Sequence, residues 1–413
     1  MFSLYGLMLF PLLPRVVESL LIIIFTALTL LTANFIPKKI FFDSFLLRKG
    51  FLFFSITSVF FIYFFGLFYS TNINESLSHL VRVIPIILFP LIFGIFKLKT
   101  LDVVQINNLK TVFIGSIFIG LLYLNIRLFN VLYLQKNTFW ETRQIIENIT
   151  DVHGTYLSLW ISFGVLILFS FLKRDFRHNK VIVIVDVILI AFFIYWQSII
   201  GARMPYFLTI TLSLIFITLQ FRFRARIVLV LSGLLITVLL LKTYKATILN
   251  RIELGISSTH SFPKGDYALE FKNISSEDIR KGILFCSWAL VKESPLIGYG
   301  VGDVQTLLNN CYVKNEFSNV YQKFLYNTHN QYLQVLLSGG VFALVLFLMS
   351  FLLPLYISYR KSDFLVFALT ILISTCCLTE NIINRHDGII FYSLFNSLLI
   401  FQNNKKNEKS LSA

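Results

Sequence analysis

Long apolar runs recur from one end of the chain to the other, and only short polar or basic connections separate most of them. Hydrophobic residues make up 56% of the chain and charged residues only 14%, far too few polar groups to cover these runs in water. A run of about 20 apolar residues can cross a bilayer as a helix, which pairs its backbone polar groups internally. The sequence therefore predicts an all-α, polytopic membrane protein.

The apolar runs predict eleven membrane spans. They lie at 16–36, 51–70, 83–96, 111–132, 156–172, 181–199, 206–219, 227–241, 332–358, 364–378 and 388–401. The N-terminal segment 2–13 is either a twelfth, short span or a re-entrant piece, and no small-residue cleavage site follows it. We therefore expect a bundle of 11–12 spans.

Basic residues account for the formal net charge of +15, and their positions matter more than their number. They cluster in every second connection, at 38–49, 97–110, 173–180, 222–226, 360–361 and 405–409. This alternation is the positive-inside pattern, which assigns those connections to the cytoplasm and the others to the outside. The charge therefore indicates topology and not a nucleic-acid partner.

One external connection is much longer than the others. It divides the chain into an N-terminal bundle at 1–241, a large external loop at 242–330, C-terminal spans at 331–402 and a basic cytoplasmic tail at 403–413. The loop contains a serine-rich, acidic helix start at 275–278 and a stop at Pro295, so we predict an amphipathic helix at 277–292. Cys286 and Cys311 share this loop, and a disulfide between them is one possibility in an oxidising compartment.

Three side chains on the external side have the chemistry of a catalytic site. His329 directly precedes the span that begins at Tyr332, and an imidazole can exchange a proton near neutral pH. Arg203 lies in a short external hinge, and a guanidinium group there is costly unless it meets an anion such as phosphate. Arg280 lies in the first turn of the predicted loop helix. Each also has a simpler interpretation as an interfacial or solvated side chain.

Other charged residues are weaker candidates. Arg82 and Arg127 lie at external ends of spans, and Arg385 and His386 lie in the last external loop. Asp186 lies inside a span near its cytoplasmic end. The sequence contains no Asp-x-Asp pair, no CxxC and no phosphate-binding glycine loop followed by Gly-Lys-Ser/Thr, so we predict neither a metal nor a cofactor.

The order of these residues resembles the signature of the O-antigen ligase and O-antigen polymerase superfamily. The matching pattern is Arg280…Glu293-Ser-Pro-Leu-Ile-Gly-Tyr-Gly-Val-Gly302…His329-Asn-Gln-Tyr-Leu333…Gly339-Gly340, with supporting segments at 72–82, 153–158 and 379–388. The similarity extends over essentially the whole chain. It departs at Ala343, where the family pattern has a second glycine, and we expect this change to affect only helix packing.

The resemblance implies a GT-C-like glycosyltransferase of the bacterial inner membrane whose active site faces the periplasm. Such proteins take a glycan from an undecaprenyl pyrophosphate carrier and pass it to lipid A–core (ligase) or to the next carrier-bound repeat (polymerase). The family's histidine corresponds to His329, and its two essential arginines correspond to Arg203 and Arg280. We expect further substrate contacts from Asn330, Arg82, Arg127, Gly300 and Gly302.

The resulting hypothesis is a ligase-like, metal-independent and inverting transfer. The two arginines would stabilise the leaving pyrophosphate, while His329 would accept the proton of the acceptor hydroxyl or, alternatively, orient the donor phosphate. A polymerase with the same donor stays an alternative, and only the single long external loop favours a ligase. A secondary transporter is a third interpretation, although we find neither paired inverted halves nor a charged network at mid-membrane.

Overall fold

The computed structural model describes residues 2–32, 50–95, 101–130, 139–175, 179–221, 227, 276–315, 317 and 320–402. These residues are mainly helical, and none of them belongs to a strand. Among the described residues, six helical stretches are long and apolar enough to cross a membrane, and one of them, Ile73–Gly94, contains two of the helices numbered below. The predicted all-α, polytopic membrane fold is therefore confirmed.

The helices are numbered here in chain order. The N-terminal part contains α1 (Phe2–Leu7), α2 (Arg15–Thr32), α3 (Phe51–Ile56), α4 (Ser58–Gly66), α5 (Ile73–Arg82), α6 (Ile84–Pro90), α7 (Val103–Arg127), α8 (Phe139–Thr150), α9 (Gly154–Asp175), α10 (Lys180–Ile200) and α11 (Arg203–Gln220). The remainder contains α12 (Ser276–Glu293), α13 (Val304–Lys314), α14 (Val320–Lys323), α15 (Gln331–Lys361), α16 (Phe364–Cys376) and α17 (His386–Gln402).

Helix α9 is the centre of the bundle, and α10, α11 and α16 pack around it. Nearly every side chain of α9 is buried, including the rings of Trp160 and Phe163. A helix that is apolar on all sides lies either in the core of a protein or in a membrane, and α9 lies among other helices. The lipid-facing helix α10 instead exposes one side, with Val181, Ile184 and Ile188 each more than half exposed.

The number of spans stays a prediction. The span predicted at 227–241 lies outside the described residues apart from its first residue. The N-terminal segment 2–13 forms α1 and a 3-10 turn at Phe10–Leu12, and its Leu4, Leu7 and Phe10 side chains are buried. Two such short pieces fall well below the roughly 20 residues that a crossing helix needs, so this segment is not a full span by itself.

Two connections that we predicted as external loops contain helices. Residues 73–82 form α5, whose start is capped by the Asn72 side chain, which accepts a hydrogen bond from the backbone N–H of Glu75. Residues 139–150 form α8, an amphipathic helix. Both are too polar for a hydropathy criterion to detect, although the Asn72 cap is a recognisable start signal.

The predicted loop helix is confirmed as α12. Its buried residues, including Ile283, Leu290 and Val291, pack against α13 and the first turns of α15. A disulfide between Cys286 and Cys311 joins α12 to α13. The disulfide that the sequence left as one possibility is therefore present in the structure.

Helix α15 is interrupted at Gly340, which has φ of +68°. The turn after α12 docks there by backbone contacts, because Val341 N–H donates to the Pro295 carbonyl at 2.9 Å and Tyr299 N–H donates to the Leu337 carbonyl at 2.8 Å. A Cβ atom on Gly340 would collide with the Leu296 backbone, so the Gly339-Gly340 pair permits this close approach. Helix α15 has 31 residues, about 46 Å, so it extends well beyond a hydrocarbon core of about 30 Å.

Candidate active site

His329 lies directly before the first turn of α15. Its φ of +43° is in the left-handed region, which is costly for a residue with a side chain and often occurs at functional positions. The Asn327 side chain supports this conformation by accepting a hydrogen bond from the His329 N–H at 3.0 Å. The imidazole is 23% exposed, so one edge of it can be reached from outside.

The other edge of the imidazole faces a buried carboxylate. His329 Nδ1 lies 3.3 Å from Glu380 Oε2, and the Glu380 side chain is only 7% exposed. Burial disfavours the charged carboxylate, but the hydrogen bond and charge of His329, with the charges of His153 and Arg385, outweigh burial and lower the pKa of Glu380 to about 2. An ionised carboxylate only accepts, so Nδ1 is the nitrogen that donates to Glu380, and in a neutral imidazole with this tautomer Nε2 is the acceptor.

A second imidazole lies on the same side of the protein. His153 precedes α9, and its Nε2 lies 3.3 Å from Arg143 Nη2 and 3.8 Å from Glu147 Oε1. Burial lowers the pKa of His153 below its ordinary value, against the opposing charges of Glu380 and Glu147. Arg143 and Glu147 form an ion pair at 2.8 Å on α8, so this helix supplies both partners of His153.

Arg82 approaches the same region from α5. Its Nη1 lies 3.4 Å from the Asn384 carbonyl oxygen, in the short connection that also contains Glu380 and Arg385. The Tyr63 hydroxyl donates to the Asn384 side chain at 3.1 Å, which fixes this connection against α4. The connection between α16 and α17 is therefore where groups from α4, α5, α9 and α15 meet.

The backbone next to Arg280 is linked to His329 through two tyrosine rings. The rings of His329 and Tyr326 are 5.9 Å apart, and the rings of Tyr326 and Tyr321 are also 5.9 Å apart. The Tyr321 hydroxyl donates to the Ile279 carbonyl at 3.0 Å, next to the exposed Arg280. The start of α12 therefore lies beside the start of α15.

Arg203 is the first residue of α11 and has an exposed side chain. The hinge before it begins at Gly201, whose φ of +63° ends α10. Ile200, the last residue of α10, lies close to Gly154, which in turn lies beside Arg143 and Glu147. The structure thus places the Arg203 hinge next to the His153 segment.

The other residues that we predicted to bind substrate include a helix cap, two buried glycines and an exposed arginine. The Asn330 side-chain oxygen caps α15 by accepting from the N–H groups of Tyr332 and Leu333. Gly300 and Gly302 are buried against residues 70–76, with Gly302 N–H donating to Ser76 Oγ. Arg127 is exposed and lies over the Tyr123 ring. Roles of these residues in substrate binding stay predictions.

Glu380 is the functional residue that the sequence reasoning missed. It lies within the 379–388 segment that supported the resemblance, but nothing in the linear sequence pairs it with a histidine 51 residues earlier. A carboxylate in a short connection between two apolar spans was the available signal, since such a group is costly to bury without a partner.

The comparison with known families covers the segment that contains three of the predicted site residues. Residues 181–348 match the family model described as O-antigen ligase, a stretch that includes Arg203, Arg280 and His329. No curated protein matches the chain. Together with the all-α membrane fold, this match over residues 181–348 supports the resemblance to the O-antigen ligase superfamily.

Proposed function

We propose that this membrane enzyme of the O-antigen ligase/polymerase type transfers a glycan from an undecaprenyl pyrophosphate carrier to a lipid A–core hydroxyl, at the periplasmic face of the bacterial inner membrane. The observation that carries the proposal is the His329–Glu380 pair at the outer end of α15. A partly exposed imidazole with a buried carboxylate behind it is the arrangement that a general base requires.

In the proposed reaction, His329 Nε2 removes the proton from the acceptor hydroxyl as that oxygen bonds to the anomeric carbon of the donor sugar. The bond from this carbon to the pyrophosphate oxygen breaks on the opposite face, and the electron pair leaves with the pyrophosphate. Attack and departure on opposite faces invert the anomeric configuration. The carrier already supplies the activated bond, so no nucleotide is needed.

Negative charge grows on the pyrophosphate as it leaves, and positive groups near it would stabilise the transition state. Arg203 and Arg280 fill this role in the proposal. Support comes from their exposed positions on the outer side, next to the His153 segment and the Tyr321–Tyr326 contacts. The pair takes the place that a divalent cation holds in many soluble sugar transferases, so we expect transfer to proceed in the presence of a chelator.

The first expected result concerns Arg203. Changing Arg203→Lys keeps the charge but removes the planar fork that matches two phosphate oxygens. We expect kcat/KM for the lipid-linked donor to fall about tenfold, the loss of one good charge-assisted hydrogen bond. Steady-state kinetics with purified enzyme measure this change in kcat/KM. Arg360→Lys, in the last turn of α15 and thus at the end opposite His329, serves as the matched control. Unchanged kinetics for Arg203→Lys would exclude bidentate phosphate binding.

Reconstitution tests the function itself. Purified protein in liposomes receives a defined polyprenyl pyrophosphate glycan together with either lipid A–core or a second carrier-bound repeat. Glycosylated lipid A–core supports the ligase, whereas elongated carrier-linked glycan supports the polymerase alternative with the same donor. Transport of a solute without any glycan transfer would favour the transporter interpretation and overturn the proposal.

A further inference from the structure

The short hinge between α10 and α11 determines where Arg203 lies. Helix α10 ends where the Gly201 N–H donates to the Gln197 carbonyl at 2.9 Å, and Gly201 then turns the chain with φ of +63°. Ala202 and Pro205 are buried, whereas the Arg203 side chain between them is exposed. The position of the guanidinium group therefore depends on how firmly the two buried residues are held inside the protein.

Pro205 removes one helical hydrogen bond from this hinge. A proline has no N–H group, so it cannot donate to the carbonyl four residues earlier and the hydrogen bonds of α10 do not continue into α11. The Pro205 carbonyl accepts from the Thr209 hydroxyl at 2.8 Å, and Ser162 Oγ lies 3.3 Å from the same oxygen. Ser162 belongs to α9, so a side chain attaches the hinge to the central helix.

A buried glutamine joins three helices beside the hinge. Gln197 Nε2 lies 2.8 Å from Ser162 Oγ and 3.0 Å from the Ser158 carbonyl oxygen, both on α9. It also lies 3.1 Å from Thr209 Oγ1 on α11. The Gln197 side chain is fully buried, and one helical turn, about 5.4 Å, separates it from the start of the hinge. One amide group therefore connects α9, α10 and α11 at the level of the hinge.

Stability alone does not account for this amide. The Ser162 hydroxyl can donate to the Ser158 carbonyl at 2.7 Å and the Thr209 hydroxyl donates to the Pro205 carbonyl, so both keep an acceptor without Gln197. Within the described part of the chain, Gln197 Oε1 is buried and has no hydrogen-bond partner. Such an acceptor costs free energy that an apolar side chain of similar size would avoid. The amide therefore contributes a fixed geometry more than it contributes net stability.

We propose that Gln197 is a positioning residue for Arg203. Its amide fixes the hinge against α9, which begins directly after His153, so that the guanidinium group is held in one place relative to that histidine. The inference rests on the proposed function, in which Arg203 binds the pyrophosphate of the donor. A guanidinium group binds two phosphate oxygens only when its planar fork is aligned with them, and a shift of about 1 Å is enough to lose this alignment.

The effect of Gln197 should be specific for Arg203. The contacts of Gln197 lie within α9, α10 and α11. Arg280 belongs to α12, which packs with α13 and the first turns of α15 in a separate hydrophobic cluster. Replacing Gln197 should therefore disturb one of the two proposed phosphate-binding arginines and leave the other in place.

Equilibrium binding of inorganic pyrophosphate to the full-length protein in nanodiscs tests the inference without requiring transfer. Gln197→Leu should weaken binding about tenfold, which corresponds to the loss of one charge-assisted hydrogen bond. In an Arg203→Ala background the same change should have no further effect, because Gln197 acts only through the guanidinium group. In an Arg280→Ala background it should again weaken binding about tenfold.

A pair of threonines provides the matched control. Thr209 and Thr370 are both buried, and each donates to the carbonyl four residues earlier in its own helix, at 2.8 Å and 2.7 Å. Thr209→Val also removes a contact of Gln197 and should weaken pyrophosphate binding, whereas Thr370→Val in α16 should not. Gln197→Leu should unfold at about the temperature of the wild type, because the change leaves no hydroxyl without an acceptor.

The possible failures are distinguishable. Unchanged binding in Gln197→Leu, a further loss in the Arg203→Ala background, or a marked loss of thermal stability would show that Gln197 does not position Arg203, and the proposed function would stand. Pyrophosphate binding that does not depend on Arg203, or that is absent from the wild type, would reject the phosphate role of Arg203 in the proposed function and the inference with it.

Discussion

Replacing His329 by alanine is expected to reduce glycan transfer about a thousandfold, the usual contribution of a positioned general base. The variant retains every group that we propose for binding the donor pyrophosphate, so KM for the donor should change little. Reconstituted enzyme with a defined donor and acceptor measures both constants. A loss confined to kcat is the signature of a group that acts in the chemical step.

The chain offers a closely matched control for this variant. His386 is 22% exposed and its Nε2 lies 2.9 Å from Glu18 Oε2, so it has nearly the same exposure and the same type of partner as His329. His386→Ala removes an imidazole–carboxylate pair at the start of α17, where we propose no chemistry. Similar losses of kcat in the two variants would mean that such pairs matter for folding, and the base assignment for His329 would be wrong.

The fold could be predicted largely from hydropathy, because a membrane helix needs a long apolar run and little else. Helices α9, α10 and α11 lie within a few residues of the spans at 156–172, 181–199 and 206–219. The loop helix could be predicted from its acidic start and its proline stop. Amphipathic α8 escaped prediction because a hydropathy window averages its two faces.

The site was only partly accessible from the sequence. His329 is a candidate from the sequence because a titratable group at the start of a span can be seen in a one-dimensional pattern. Glu380 could not be identified from the sequence, because its contact with His329 depends on how the α16–α17 connection packs against the start of α15. There the Gln331 N–H donates to the Cys377 carbonyl at 2.8 Å. Contacts between distant segments decide which polar residue becomes a partner.

The Gly298–Gly302 turn is a second case in which the sequence does not show which distant segment a residue contacts. Its glycines suggested a loop that approaches substrate, but the structure places the turn between two packed segments. Asp303, directly after it, accepts hydrogen bonds from Ser70 and Thr71 hydroxyls and from the backbone of Thr71 and Asn72. A glycine permits close backbone approach, and the sequence alone does not tell whether the approaching partner is a ligand or another part of the chain.

The second large effect is expected for Glu380→Gln. The exchange keeps the shape of the side chain, but its amide can donate to Nδ1 of His329 and so favour the tautomer whose Nε2 carries the proton and cannot act as a base. Loss of the charge also removes stabilisation of the imidazolium that forms during transfer. We expect kcat to fall about a hundredfold with little change in KM, which is within the range that general base catalysis contributes.

Two measurements separate this positioning role from a structural one. The double variant with His329→Ala should be no slower than His329→Ala alone, because Glu380 acts only through the imidazole. Glu18→Gln, which alters the matched pair with His386, should leave kcat unchanged. Additive losses in the double variant would show that Glu380 contributes independently of His329.

The pH dependence of stability provides an independent check on the same pair. Although burial opposes ionisation, interactions with His329, His153 and Arg385 lower the pKa of Glu380 to about 2, below the ordinary carboxyl value of 4.5. A carboxylate with a lowered pKa stabilises the folded state above its unfolded pKa and loses this contribution as the pH falls through its folded pKa. Wild-type protein should therefore unfold at a higher temperature than Glu380→Gln at pH 7, and the difference should shrink as the pH falls from about 4.5 toward 2. A constant difference across that range would mean that Glu380 is not an ionised partner of His329.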